Sequence, residues 1–211
     1  EQNVVVFTSI NPGSGKSHLA ANMAMSLAIK KKKVLLIDGD LRHGSTSMVV
    51  GSPGEGLSDY LNGRVSDIHD IICKGEESGL VKYFDILPIG TIPPNPTELL
   101  FTPLLEQMIK QVRQEYDYVF IDCPPIEIVA DTPIYEQYAD RTIFVVRAGL
   151  MERSMLPDVE ELYKEKKFKN MSLILNGTKT QGGKYGSHYG YGYGYGYGYN
   201  YHYGSDKGGQ K

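Results

Sequence analysis

No apolar stretch in this 211-residue chain approaches the roughly 20 residues that cross a bilayer. The longest apolar runs, such as Val34 to Ile37 and Thr142 to Val146, are the size of strands. Cysteine is scarce. Cys73 and Cys123 build no disulfide framework and read as reduced thiols of a cytosolic protein, a single bridge being the other option. Positive charge is not in excess either. The formal net charge of −3 gives no argument for nucleic acid, whose binders carry a basic surplus. What the chain does have is a 41% hydrophobic content, enough for a sizeable core, and a length that suits one domain plus an appendage. It opens at Glu1 on a strand-like run without Met or a leader, as a piece of a longer protein would.

Short β-rich runs alternate with helical patterns. The runs Val4 to Thr8, Val34 to Asp38, Phe84 to Pro88, Tyr118 to Asp122, Thr142 to Arg147 and Ser172 to Asn176 are nearly all apolar, as strands covered on both faces must be. Helices are predicted over Lys16 to Lys30, Ser58 to Ile72, Glu98 to Glu115, Thr132 to Tyr138 and Ser154 to Lys166. Asn95-Pro96-Thr97-Glu98 and Asp131-Thr132-Pro133 carry the signals of helix starts. The alternation predicts an α/β fold with a parallel sheet and helices on both faces. Ligands then bind at the carboxyl ends of the strands.

The first strand runs into Ser9-Ile10-Asn11-Pro12-Gly13-Ser14-Gly15-Lys16-Ser17 and then a helix. Gly13 and Gly15 let backbone N–H groups turn toward an anion, and the helix N-terminus adds its dipole. Lys16 reaches the β- and γ-phosphates of a nucleotide, and Ser17 ligates Mg²⁺. Ile10 stands where the full motif has glycine. Pro12, Ser14 and His18 complete the candidate nucleotide-binding segment. Two further strands end on acids, Asp38-Gly39-Asp40-Leu41-Arg42 and Asp122-Cys123-Pro124-Pro125. Carboxylates at strand ends beside a phosphate loop are placed to hold Mg²⁺. Asp38 is the candidate proton acceptor, and Asp40 and Asp122 the candidate metal ligands. Arg42 could meet phosphate, a partner chain or a surface carboxylate. His43 reads as polar loop.

Past Thr178 the pattern changes. Tyr185, Tyr189, Tyr191, Tyr193, Tyr195, Tyr197, Tyr199, Tyr201 and Tyr203 are separated almost entirely by Gly, Asn, His or Ser. Such a glycine density cannot repay the entropy of ordering, so residues 1–180 are predicted as the folded domain and 181–211 as a disordered tail.

Together these segments resemble the bacterial tyrosine kinases (BY-kinases) from Val4 to Tyr203. Pro12 to Ser17 is similar to that family's Walker A, Leu36 to Arg42 to its Walker A′, and Phe120 to Pro125 to its Walker B. Gly56 to Leu61 and Leu87 to Leu100 match less chemical family segments, and the tyrosine cluster is the feature that sets the family apart. The resemblance implies that Lys16 and Ser17 hold ATP and Mg²⁺, that Asp38 is the base, that Asp122 serves the metal, and that Asn176 contacts adenine. It implies autophosphorylation of the tail tyrosines, from one subunit to another, in a homo-oligomer. It also implies a membrane-spanning activator on the same or another chain, a cognate phosphotyrosine phosphatase, a cytoplasmic domain attached to the bacterial inner membrane, and control of capsule or exopolysaccharide export. Family members carry a Glu/Arg-rich helix upstream of Walker A that joins subunits in a ring; no residues before Val4 correspond to it. A partitioning or cell-division-positioning ATPase of the same P-loop class would use a lysine where Asn11 stands. A non-catalytic nucleotide-binding scaffold would have no use for intact Lys16, Ser17, Asp38, Asp40 and Asp122. A eukaryotic-type kinase is excluded, because neither His-Arg-Asp nor Asp-Phe-Gly occurs.

Overall fold

The computed structural model describes residues 2–127 and 131–178. Six strands form one sheet: β1 (Val4–Ser9), β2 (Val34–Asp38), β3 (Phe84–Leu87), β4 (Tyr118–Asp122), β5 (Arg141–Arg147) and β6 (Ser172–Asn176). Their order is β3-β2-β4-β1-β5-β6, and every neighbouring pair is parallel. Six helices connect them: α1 (Lys16–Ile29), α2 (Leu57–Leu61), α3 (Pro96–Leu99), α4 (Pro103–Glu115), α5 (Thr132–Glu136) and α6 (Leu156–Lys164).

Alternate residues of each strand enter different cores. Val4, Val6, Leu35, Ile37, Val119 and Ile121 pack with residues of α2 to α5. Val5, Phe7, Val34, Leu36 and Phe120 face α1, whose Ala20, Ala24 and Ala28 form the small stripe that brings this helix onto the sheet. This two-sided cover is why the strands are apolar throughout. The chain runs from β1 to β2 and β3 on one side, returns to insert β4 beside β1, and then places β5 on the other side. The carboxyl ends of β1, β2 and β4 therefore meet where the strand order switches, which is the ligand position of an open α/β sheet.

Three of the predicted helices are broken. The span Ser58 to Ile72 is α2 followed by a 3₁₀ turn at Ile68–Ile71. Gly63, at φ +73°, turns the chain between them. The span Glu98 to Glu115 divides into α3 and α4, because Pro103 opens α4 and holds Thr102 extended at ψ 146°. The span Ser154 to Lys166 begins as a 3₁₀ turn at Arg153–Met155. The two helix starts also differ in detail. Asn95 does not cap α3; its Nδ2 donates to Glu98 Oε2 at 2.7 Å. Asp131 does not cap α5, its carboxylate being engaged elsewhere. Cys73 and Cys123 are both free thiols. No helix among the described residues is long and apolar enough to cross a membrane. The predicted tail, with its nine tyrosines, lies outside the described residues.

Candidate nucleotide site

The loop from β1 to α1 is held from behind. Ser9 Oγ and Ser14 Oγ both donate to the Asn11 carbonyl at 2.8 Å. Arg147 Nη1 donates to the Gly13 carbonyl at 2.7 Å, and Asn176 Nδ2 to the Ser14 carbonyl at 2.9 Å. With its carbonyls tied back, the loop is left to present N–H groups. Gly13 and Gly15 adopt φ +73° and +91°, values that L side chains rarely take. Gly15 is the N-cap of α1 and brings no side chain, and no acid occupies the first turn, so the helix dipole there is uncompensated. Ile10 needs no glycine: its side chain is buried with Phe144 and Val146. Pro12 and His18 are exposed at the rim, and Lys16 and Ser17 are half-buried at the start of α1.

Two carboxylates face this loop from adjacent strands. Asp38 and Asp122 are in register across β2 and β4, and both are sealed from solvent. Asp38 Oδ2 accepts from Ser47 N and Ser47 Oγ, both at 2.7 Å. Asp122 Oδ2 accepts from Thr46 Oγ1 at 2.8 Å. Asp122 Oδ1 has no hydrogen-bond partner, and Lys16 Nζ stands 3.8 Å from it. Burial, together with the neighbouring Asp122 charge, pushes the Asp38 carboxyl up to about 7. The Ser47 hydrogen bonds oppose that rise.

Other predicted site residues are placed differently. Asp40 is turned into its own loop, where Oδ1 accepts from Arg42 N at 3.2 Å and from His43 N at 3.3 Å. His43 Nδ1 lies 3.2 Å from Asp40 Oδ2. Arg42 is drawn away from the phosphate loop: its guanidinium pairs with the fully buried Asp131 and donates to Thr97 Oγ1 at 2.8 Å. A buried carboxylate without a cation is costly, and Arg42 is the group that satisfies it. Asn176, the expected adenine contact, braces the phosphate loop through Nδ2, while its Oδ1 accepts from Gly177 N at 2.8 Å.

Sequence reasoning missed Thr46, Ser47 and Arg147. Thr46-Ser47 is a hydroxyl pair shortly after the acidic strand end, and Arg147 is a cation closing an apolar strand; both were visible signals.

Among the described residues, no three His, Cys, Asp or Glu side chains converge as a ready metal cage. Magnesium does not need one, since it binds through one or two carboxylates with phosphate oxygens and waters. Unpartnered Asp122 Oδ1 beside the phosphate loop fits that mode.

Residues 2–154 match the AAA domain family. The chain is 34% identical over 190 residues to the tyrosine-protein kinase CpsD of Streptococcus agalactiae, covering 89% of this chain and 81% of that protein. It belongs to the bacterial tyrosine-kinase family. The kinase domain of Escherichia coli tyrosine kinase ETK superposes with a TM-score of 0.76 at 30% identity, over 86% of this chain and 70% of that one. The septum site-determining protein MinD of Pyrococcus horikoshii, complexed with Mg-ADP, gives 0.66 at 26%, over 82% and 69%. The P-loop nucleotide-binding architecture is thus shared with the positioning ATPases, and the likeness to the kinases is greater in both sequence and structure.

Two outcomes follow from this geometry. A Cβ at residue 15 would stand 2.3 Å from Asn176 Nδ2 on a backbone at φ +91°. Gly15→Ala therefore breaks the loop, and titration with a fluorescent ATP analogue should show affinity falling by about tenfold or more, the strain being of order 1–3 kcal/mol. The second outcome is a pH slope. Asp38 binds its proton more tightly in the folded chain, at about 7, than at the ordinary 3.8. The folded state therefore holds more protons between those values, and stability without ligand falls as pH rises through them. Urea unfolding across that range should show a shallower fall for Asp38→Asn than for wild type.

Proposed function

We propose that this chain transfers the γ-phosphoryl group of ATP to tyrosine hydroxyls of residues 185–203, and does so between copies of the chain. The observation that carries this is the buried Asp38, raised to about 7 beside Asp122, whose Oδ1 lies 3.8 Å from Lys16 Nζ. A carboxylate poised near neutral pH is suited to accept a proton at the moment of attack. The nine tail tyrosines on the same chain supply hydroxyls that are neutral at pH 7, since a phenol ionises near 10.

In this account the N–H groups at Gly13 to Ser17 and the Lys16 ammonium hold the phosphates. A tyrosine Oη attacks the γ-phosphorus, the bond from that phosphorus to the β–γ bridging oxygen breaks, ADP leaves, and the phenolic proton passes to Asp38. Ser17 and Asp122 would hold magnesium, which would supply positive charge to offset that of the phosphates. Thr46 and Ser47 fix the two carboxylates, so alignment is built before substrate arrives. Asp40 and Arg42 shape the loop that carries them.

By analogy with its relatives, the domain acts in control of capsule or exopolysaccharide synthesis and export. A homo-oligomer, a membrane-spanning activator that holds it at the inner membrane, and a phosphatase that resets the tail complete the proposal. An ATPase of the MinD type is the second possibility. It is disfavoured at Asn11, whose Nδ2 is engaged by Glu127 Oε2 at 2.9 Å.

The test mixes a Lys16→Met chain, with its tyrosines intact, and an active chain truncated after residue 180. Radiolabel from ATP should appear on the inactive partner. Asp38→Asn in the active chain should lower that rate by roughly 10² to 10⁴ while keeping ATP affinity within about tenfold. Label absent from the partner, but present on a full-length active chain, would mean transfer within one chain.

A further inference from the structure

A cleft of about 850 Å³ lies at the amino ends of β5 and β6. This is the far end of the sheet from the nucleotide site. Arg141, which opens β5, lines the cleft, whereas Arg147, which closes β5, bonds the phosphate loop. β5 is seven residues long, so the two places are about 20 Å apart.

The lining is basic. Arg141, Lys164, Lys166 and Lys169 bring four cations, against the single acid Asp140. That acid is already engaged: its Oδ2 accepts from Arg113 Nη2 at 2.5 Å, from Val4 N at 2.9 Å and from Asn3 N at 3.0 Å. Lys164 pairs with Glu160 at 2.7 Å. Lys169 Nζ donates one hydrogen to the Gln137 carbonyl, at 2.8 Å, and keeps two. Arg141 and Lys166 pair with no carboxylate among the described residues. The positive charge of the cleft therefore exceeds what its own acid answers, on a chain whose net charge is −3. Beside the cations the walls are apolar: Phe168, Met171 and the ring of Tyr163.

Local bonds hold this shape before any ligand arrives. Asn170 Nδ2 donates to the Asp140 carbonyl at 2.9 Å, and Thr142 N to the Lys169 carbonyl at 2.9 Å. Lys169 N donates to Glu136. Lys166 and Asn170 take φ +53° and +44°, so the chain turns on either side of Phe168 and Lys169. Cations without acid partners beside an aromatic wall suit an aryl phosphate: the charges take the phosphate oxygens and the wall takes the ring.

We infer that this cleft is a phosphotyrosine-binding site whose ligand is the phosphorylated segment 185–203. The inference rests on the kinase function proposed above and gives the fate of its product. Between Tyr185 and Tyr203 there is no Asp, Glu, Lys or Arg, so the unmodified segment offers the cleft no anion. Each phosphate adds about −1.5 to −2 charges and creates the ligand. Chain length permits the contact. β6, five residues long, spans about 17 Å, and the seven residues from Thr178 to Tyr185 span up to about 24 Å. Every tail tyrosine is thus within reach of the far end of the sheet. A modified tyrosine is repelled by Asp38 and Asp122 and drawn to Arg141 and Lys166, which clears the nucleotide site for the next hydroxyl.

The test measures binding of two synthetic peptides of residues 185–203, one phosphorylated at Tyr195 and Tyr197 and the other unmodified. The protein is the full chain with its own tail dephosphorylated, and fluorescence anisotropy is the readout. The phosphopeptide should bind at least about tenfold tighter. Arg141→Gln/Lys166→Gln should remove that difference while binding a fluorescent ATP analogue as wild type does. Arg141→Lys/Lys166→Arg should keep it, and so should Lys30→Gln/Lys32→Gln, which removes charge elsewhere. Equal affinity for the two peptides, or a difference that survives in the Arg141→Gln/Lys166→Gln variant, overturns the site. Phosphatidylserine vesicles that displace the phosphopeptide, and that themselves require Arg141 and Lys166, assign the cleft to a membrane and overturn the tail as its ligand. Mass spectrometry of the full chain after incubation with ATP and Mg²⁺ separates this inference from the reading it rests on. Tail phosphotyrosine without phosphopeptide binding sinks the cleft alone. Phosphopeptide binding without tail phosphotyrosine sinks the kinase function, and with it the tail as ligand.

Discussion

Two carboxylates, Asp38 and Asp122, lie side by side at the ends of adjacent strands with almost no access to water, and the site is organised around that repulsion. Like charges this close disfavour joint ionisation, and burial adds to the cost. The single ammonium nearby, Lys16, is 3.8 Å from Asp122 and offsets only part of it. The remainder falls on hydroxyls and backbone. Ser47 Oγ donates to Asp38 and accepts from Ile89 N at 2.9 Å, so the segment after β3 is locked to the carboxylate of β2. Thr46 Oγ1 donates to Asp122. A further buried acid, Asp131, gathers Arg42 and Thr97 and so ties the loop after β2 to α3 and α5. These contacts leave Asp122 Oδ1 without a hydrogen-bond partner, with Lys16 Nζ 3.8 Å away.

Much of this was legible in the sequence. All six strands fall within one residue of where apolar runs place them, because a strand covered on both faces writes its burial into consecutive residues. The phosphate loop was legible for a similar reason: its glycines, lysine and serine act through the local backbone. What escaped was long-range. Arg42 and Asp131 are far apart in the chain, as are Arg147 and Gly13, and no periodicity connects them. Arg42 was expected to meet phosphate, a partner chain or a carboxylate, and Asp40 a metal, because each stands beside Asp38 in sequence; Arg42 pairs with the distant, buried Asp131, and Asp40 accepts from its own loop. The helix over Glu98 to Glu115 was drawn through Pro103, although a proline restrains the residue before it and favours the break that is found.

The fold alone does not separate this family from the positioning ATPases, since the sheet and loop are common to both. The difference lies at the margins: an asparagine held by Glu127 at position 11, exposed Leu173 and Leu175 on β6, and a run of tyrosines on the same chain. Each is a surface or loop feature, where a shared scaffold acquires a distinct chemistry.

The central claim is that Asp38 is held protonatable near neutral pH by its buried pairing with Asp122. Carbon-detected NMR titration of the aspartate carboxyl carbons, assigned with Asp38→Asn, measures it directly. Without ligand the Asp38 carboxyl should titrate at about 7. A carboxyl that titrates near 3.8 in the free protein would contradict the account.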